Sequence, residues 1–220
     1  MPLRAILFDH DGTLVNSEPI HFDLWVTVLS RYGISLTEQQ YKEHYAGVPT
    51  NANAIDVVRR FQIDVTPEAI AEEKNAATRE FLRGNSFPLM NGALDAIMDF
   101  RERGLTLGIV TGAGFEGVDA TLRANDLGSV FSAVVSGDDV SLSKPAPDCY
   151  LLAMKKLGVQ ASECVAIEDT QHGLKAAHAA GIRCLAVPTP MSMHHDFGDA
   201  LAVLDGMPNV IEYVRHSLLR

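Results

Sequence analysis

The sequence is short of cysteine, of positive charge and of long apolar runs, and each shortage removes a class of protein. Three cysteines in 220 residues (Cys149, Cys164 and Cys184) are too few for a disulfide framework and leave one unpaired. Cys164 and Cys184 each open an apolar, strand-like run, so they read as buried free thiols, which suits a reducing cytoplasm. Eighteen Lys and Arg face 28 Asp and Glu, a formal net charge of −10. That balance argues against nucleic acid and anionic membrane as partners, since both require a basic face. No apolar run is long enough to span a bilayer, and the first residues lead into a strand without the layout of a signal peptide. A cytoplasmic location is the expectation. An acidic chain also gets no help from its overall field in attracting an anion. Any anion site has to be built locally, from a metal, a lysine or backbone amides.

What is present is ordinary for a globular protein: 47% apolar and 21% charged residues, with no repeats or low-complexity segments. Ala5-Ile6-Leu7-Phe8 reads as a buried strand. From there to about residue 86 the pattern is helical only. Pro19 sits in the first turn of a helix, Ile20 to Tyr32, with Phe22, Trp25, Val26 and Leu29 on one face. Thr37-Glu38 opens a second helix to about Tyr45, and Pro49 to Phe61 forms a third, with Ile55, Val58 and Phe61 apolar. Thr66-Pro67-Glu68 starts a fourth that reaches Leu82. Beyond Pro88, helices and strands alternate, with strands at Leu105–Val110, Ala133–Val135, Cys164–Ile167, Cys184–Val187 and Ala202–Leu204, and a closing helix from Asn209 to Leu219. Strands separated by helical runs imply a parallel sheet with right-handed crossovers. The fold class is therefore α/β, with a helical bundle over roughly 17–86 inserted between two halves of the sheet domain.

Four stretches carry chemistry. The first is Asp9-His10-Asp11-Gly12-Thr13, where the buried strand stops at two carboxylates spaced i, i+2. A parallel strand delivers its last side chains to the crevice at its carboxyl end, where open α/β sheets bind ligands. Two such carboxylates repel unless a cation sits between them or one holds a proton. The same letters also read as a turn at Asp11-Gly12 with Asp9 as a helix N-cap. Next, Thr111-Gly112 follows Gly108-Ile109-Val110, and its hydroxyl and glycine-freed amides can donate to a phosphoryl oxygen; alone, it is a Thr-Gly turn. The third, Ser143-Lys144-Pro145-Ala146-Pro147, has a lysine between stiffening prolines, or a solvated lysine before a helix. Last comes Glu168-Asp169, again at a strand end, where oxygen ligands suit Mg2+. An N-cap at Asp169 fits too but leaves Glu168 unexplained.

In this order the four motifs resemble the haloacid dehalogenase superfamily, in particular its phosphatases of the β-phosphoglucomutase-like subgroup, and the resemblance runs over essentially the whole chain. It implies a Rossmann-like catalytic core over 1–16 and 87–220 and a helical cap domain over 17–86. It implies, with the chemistry of the groups, that Asp9 attacks phosphorus and forms an aspartyl-phosphate, while Asp11 protonates the leaving oxygen and then takes a proton from water. Mg2+ would be held by Asp9, the Asp11 carbonyl and Asp169, with Glu168 direct or through water. Lys144 and Thr111 would hold phosphoryl oxygens, assisted by the amides of His10, Asp11 and Gly112, with Gly12 in the same phosphate-binding turn. The His10 side chain should face away from the metal. Hinges near Asn16-Ser17 and Phe87-Pro88 would let the cap close and exclude water. The implied partner is a small phosphorylated metabolite, and the implied assembly a monomer or weak dimer.

Two relatives within the resemblance compete with a phosphatase. The dehalogenases attack carbon without a metal and typically lack an acid two residues after the nucleophile, against which Asp11 and Glu168-Asp169 speak. A sugar-phosphate mutase resembling β-phosphoglucomutase is the stronger rival: Ser17-Glu18-Pro19-Ile20-His21 places Glu18 and His21, and Lys74-Asn75 places Lys74, where the mutase contacts its substrate. However, Ala46-Gly47-Val48-Pro49-Thr50 lacks the mutase's phosphate-gripping arginine, a loss that is not conservative. Arg59, Arg60 and Arg79 fit a solvated helix face better than that role. A non-catalytic binding module would be expected to have lost Asp9, Lys144 or Asp169. His194-His195 reads as an exposed loop pair rather than as metal ligands. Hydrolysis of a small sugar or polyol phosphate is the resulting expectation.

Overall fold

The computed structural model describes residues 2–219. Strand β1 (Ala5–Phe8) is buried along its whole length, as a strand covered on both faces must be. Four helices follow without a strand between them: α1 (Glu18–Ser30), α2 (Glu38–His44), α3 (Thr50–Phe61) and α4 (Pro67–Gly84). The remainder alternates: α5 (Ala93–Glu102), β2 (Thr106–Val110), α6 (Phe115–Ala124), β3 (Ala133–Val135), α7 (Asp148–Leu157), β4 (Cys164–Glu168), α8 (Gln171–Ala179), β5 (Arg183–Ala186), β6 (Ala202–Val203) and α9 (Met207–Tyr213). The last helix runs on into a wider turn, Val214–Leu218, closed by Leu219 N–H donating to Val214 O.

The six strands form one parallel sheet in the order β3-β2-β1-β4-β5-β6. β1 is therefore central, and the strand order reverses on either side of it. That reversal opens a crevice at the carboxyl ends, the place where open α/β sheets bind ligands. The class is the expected one, a Rossmann-like parallel core with an inserted helical bundle. By their packing, the residues up to Asn16 and from Pro88 onward form one compact unit, and Ser17–Phe87 forms a second.

Helix starts follow their capping residues. Thr37 and Gln40 form a reciprocal capping box at α2, and the Thr66 hydroxyl accepts from Ala69 N–H at α4. The helical unit packs around Trp25, Leu29, Tyr41, Tyr45, Val57 and Ile70. Ile55, expected on the apolar face of α3, is exposed, and Asn53 is buried instead. The reason is a hydrogen-bond demand: Asn53 Nδ2 donates to the carbonyls of Tyr45 (3.0 Å) and Val48 (3.1 Å), tying α3 to the turn before it. All three cysteines are free and buried. Among the described residues no helix is long and apolar enough to cross a membrane.

The same α2–α3 junction has an ion cluster. Asp56 accepts from Arg60 Nε (2.9 Å), Arg59 Nη2 (2.6 Å) and the Tyr45 hydroxyl (3.1 Å). The Arg60 hydrogen bond leads in holding the Asp56 carboxyl down to about 2, with Arg59 and Tyr45 adding to it against partial desolvation. Burial, with Asp56 beside it, pushes the Tyr45 phenol up to about 12. A carboxyl whose pKa falls on folding stabilises the fold fully above its unfolded value, roughly 3.9, and loses that contribution as pH drops through the folded value. Asp56→Asn should therefore lower the melting temperature at pH 7 by roughly 2–4 °C, as about 1 kcal/mol does in a chain of this size. Circular dichroism melts should show the gap closing between about pH 4 and pH 2; a gap independent of pH would refute the assignment.

Candidate active site

The three central strands place their polar ends side by side. Asp9 N–H donates to Ile167 O (2.9 Å), which keeps Asp9 in register beside Glu168, the last residue of β4. On the other flank Thr111 follows β2, its N–H donating to Val135 O (2.9 Å). After Asp9 the chain turns sharply: His10 O accepts from the N–H groups of Leu14 (2.9 Å) and Val15 (3.0 Å), and Gly12 N–H donates to Val15 O (2.8 Å). Gly12 adopts φ +81°, and a Cβ there would lie 2.2 Å from Asp169 Oδ2. Glycine is required twice over, by the left-handed backbone and by the carboxylate against it.

A single ammonium organises the cluster. Lys144 Nζ donates to Asp9 Oδ1 (2.5 Å), Glu168 Oε1 (2.6 Å) and Val110 O (2.7 Å), which uses all three of its protons. Its side chain is only 8% exposed, and it lies over the Tyr150 ring. The Tyr150 hydroxyl donates a second hydrogen bond to Glu168 Oε1 (2.6 Å). Burial alone would lower the Lys144 pKa, but the charges of Asp9 and Glu168 leave it raised.

One lysine does not balance the carboxylates. Asp9, Glu168 and Asp169 are all buried, and each can offer an oxygen within 4.8 Å of the others. Desolvation pushes Asp9 up despite Lys144, raises Glu168 to about 7, and lifts Asp169 well above the ordinary carboxylate range, with Asp9 and Glu168 adding repulsion. Glu168 Oε2 and Asp169 Oδ1 are buried with no hydrogen-bond partner. Such atoms are costly unless something else satisfies them. Buried, unpartnered carboxylate oxygens in excess of the local positive charge are the donor set a hard divalent cation requires, so the residues fit Mg2+.

Asp9, Asp11, Thr111, Lys144, Glu168 and Asp169 thus lie together in one unit, although they span most of the chain. Asp11 has the most open side chain of the acidic group, 28% exposed. The Thr111 hydroxyl accepts from Ala113 N–H (3.0 Å) and reaches Asp11 Oδ2 at 3.5 Å. Gly112 is exposed, and its carbonyl accepts from the Ser143 hydroxyl (3.3 Å). The Gly12 N–H, being bound to Val15, leaves that residue a steric part in the turn. The His10 ring is buried, with Nε2 against Thr121 Oγ1 (3.0 Å) and Nδ1 against Asp11 Oδ2 (3.3 Å).

The other three predicted residues belong to the helical unit. Glu18 accepts from the Tyr41 hydroxyl (2.6 Å) and Gly47 N–H (2.9 Å), and Lys74 Nζ lies 3.0 Å from His21 Nδ1. Arg59 and Arg60 are tied to Asp56, and Arg79 pairs with Glu72. His194 is exposed, but His195 is half-buried and its Nδ1 accepts from Gln171 N–H (3.4 Å) at the start of α8. That hydrogen bond, which an extended loop would not make, accounts for the difference from the expectation of two exposed rings. Tyr150 and Thr121 are partners that the sequence pattern does not single out. The one signal for Tyr150 was a tyrosine on the apolar face of an amphipathic helix, where its hydroxyl needs a partner.

Residues 6–187 match the haloacid dehalogenase-like hydrolases, and the chain belongs to that family. Among its relatives is the fructose-1-phosphate phosphatase YqaB of Escherichia coli K12, 35% identical over 183 residues that cover 83% of this chain and 95% of the relative. Among solved structures, CbbY from Rhodobacter sphaeroides in complex with phosphate superposes with a TM-score of 0.82 at 27% identity, covering 94% of this chain and 96% of CbbY. A CbbY variant in complex with xylulose-(1,5)bisphosphate superposes with a TM-score of 0.81 at 27% identity, covering 93% and 95%.

Gly173, in the first turn of α8, tests the acidic cluster. A Cβ there would lie 1.8 Å from Glu168 Oε2, so Gly173→Ala must displace that carboxylate. Calorimetric titration should show Mg2+ affinity falling roughly 10-fold or more, and the melting temperature of the metal-free protein should fall by a few degrees, because the displaced carboxylate gives up its hydrogen bonds from Lys144 and Tyr150. Unaltered affinity would refute Glu168 as part of the cation site.

Proposed function

We propose that this chain is a Mg2+-dependent phosphatase that hydrolyses a small phosphomonoester, a sugar or polyol phosphate, through an aspartyl-phosphate on Asp9. The observation that carries the reading is the Asp9 carboxylate, held by Lys144 beside unpartnered oxygens of Glu168 and Asp169, with the more open Asp11 two residues away. Mg2+ would be held by Asp9, the Asp11 carbonyl and Asp169, with Glu168 direct or through water. When bound, it offsets the repulsion between an anionic nucleophile and an anionic substrate.

The protein groups then have separable tasks. A carboxylate oxygen of Asp9 forms a bond to phosphorus while the bond to the ester oxygen breaks, and Asp11 gives that leaving oxygen its proton. In the second half Asp11 takes a proton from water as the water attacks phosphorus and the bond to Asp9 breaks, releasing phosphate. Lys144, already on Asp9 Oδ1, stands beside any phosphoryl group transferred to that carboxylate. Thr111 and the amides of His10, Asp11 and Gly112 complete the set of donors to phosphoryl oxygens. Glu18, His21 and Lys74 choose the rest of the substrate; the paired Lys74 and His21 suit hydroxyls or a second anionic group. The fructose 1-phosphate in the name of YqaB and the xylulose-(1,5)bisphosphate in complex with the CbbY variant support this class of ester. Against a mutase stands the absence of an arginine after Gly47-Val48, with Arg59, Arg60 and Arg79 each occupied by an acid of their own helix.

Phosphate release from a panel of sugar, polyol and glycolate phosphates tests the reading. We expect release with Mg2+, loss of release on chelation, and a fall of roughly 1,000-fold or more in kcat for Asp9→Asn. Glucose 6-phosphate formed from β-glucose 1-phosphate without net release would make the enzyme an isomerase instead.

A further inference from the structure

The residue between the two catalytic carboxylates has an anchored side chain. The His10 ring is 1% exposed and bonded at both nitrogens. Its Nε2 lies 3.0 Å from Thr121 Oγ1, in the buried face of α6. Thr121 Oγ1 gives its own single proton to Gly117 O, at 3.0 Å. The hydroxyl can therefore only accept from the ring, which places a hydrogen on Nε2. With Nε2 anchored, Nδ1 is aimed at Asp11 Oδ2, 3.3 Å away, and a proton between these two atoms closes that contact while the proton for the leaving oxygen is carried on the other carboxyl oxygen. Thr111 Oγ1 approaches the same oxygen from farther off, at 3.5 Å.

On the phosphatase reading above, we propose that His10 is a positioning residue: the chain Gly117 O, Thr121 Oγ1, His10 and Asp11 Oδ2 holds the carboxyl that must deliver a proton to the leaving oxygen. Asp11 needs such a device. Its side chain is the least buried of the acidic group, and several rotamers are open to an aspartate at a turn. Proton delivery works within hydrogen-bond reach, and a small misplacement of the donor is costly. The helix α6 supplies the fixed end of the relay, so the orientation of Asp11 depends on an element that follows β2 rather than on its own loop. His10 touches the acid and not the phosphorus, so its effect should appear where protonation of the leaving group limits the rate.

Leaving-group dependence separates this from mere packing. In the presence of Mg2+, kcat/KM is measured for p-nitrophenyl phosphate, whose leaving group departs without a proton, and for glycerol phosphate, whose alkoxide needs one. Because kcat/KM reports steps through ester cleavage, hydrolysis of the aspartyl-phosphate does not enter. His10→Gln should lose on the order of 10-fold or more with glycerol phosphate and several-fold less with the aryl ester. His10→Asn should recover part of the loss, since its amide occupies the place of Nδ1; Thr121→Val should lose in the same selective sense, to a smaller degree. Melting curves establish folding, and Thr121→Val carries the test if the His10 variants do not fold. Equal losses on both esters, or full activity of His10→Gln on glycerol phosphate, would overturn the proposal while leaving the phosphatase reading intact. An unaltered enzyme silent on both esters would overturn both.

Discussion

The structure of the site depends on the contact of Lys144 with Asp9 and Glu168. These acids close adjacent parallel strands, and without a cation their burial would be unfavourable by several kcal/mol per charge. The lysine arrives from a loop between β3 and α7, and its ammonium also takes the carbonyl at the end of β2. One side chain thus ties together the ends of three strands. It leaves the cluster short of positive charge, and the shortage is informative. A site that neutralised itself completely would have little affinity for a divalent ion.

Two absences of side chain matter as much as the lysine. Gly12 and Gly173 each lie where a methyl group would collide with a carboxylate of the cluster, Asp169 in one case and Glu168 in the other. Backbone is thereby packed directly against the acids, excluding solvent without introducing apolar bulk. The helical unit has a different economy: an aromatic core, capped helices and an arginine-bound Asp56. Its buried Asn53 Nδ2 and Lys74 Nζ are polar groups whose cost is met by specific partners.

Much of this arrangement was legible in the sequence because the chemistry sits at boundaries. Asp9, Thr111 and Glu168 each end or follow an apolar run, and Lys144 stands beside a proline, so strand patterning locates them without knowledge of the fold. The parallel sheet followed from strands separated by helices. The partners lying inside helices were hidden. Tyr150 and Thr121 face inward from α7 and α6, where a period of 3.6 announces burial but not which hydroxyl finds an acceptor. The direction of the His10 ring depends on the turn closed by His10 O, a tertiary choice that alternation along an extended strand does not describe. Ile55 and Asn53 exchanged places for a similar reason: periodicity ranks residues by polarity, whereas two backbone carbonyls decided which side chain went inside.

The central position of β1 also has a kinetic consequence. Its partners β2 and β4 lie roughly 100 and 160 residues further along, so its pairing closes long loops. Contacts of such separation slow folding. During synthesis Asp9 stays without its neighbours until Lys144, 135 residues later, and then Glu168 have emerged. The surroundings of the Asp9 carboxylate are thus assembled only after about 160 further residues have been added.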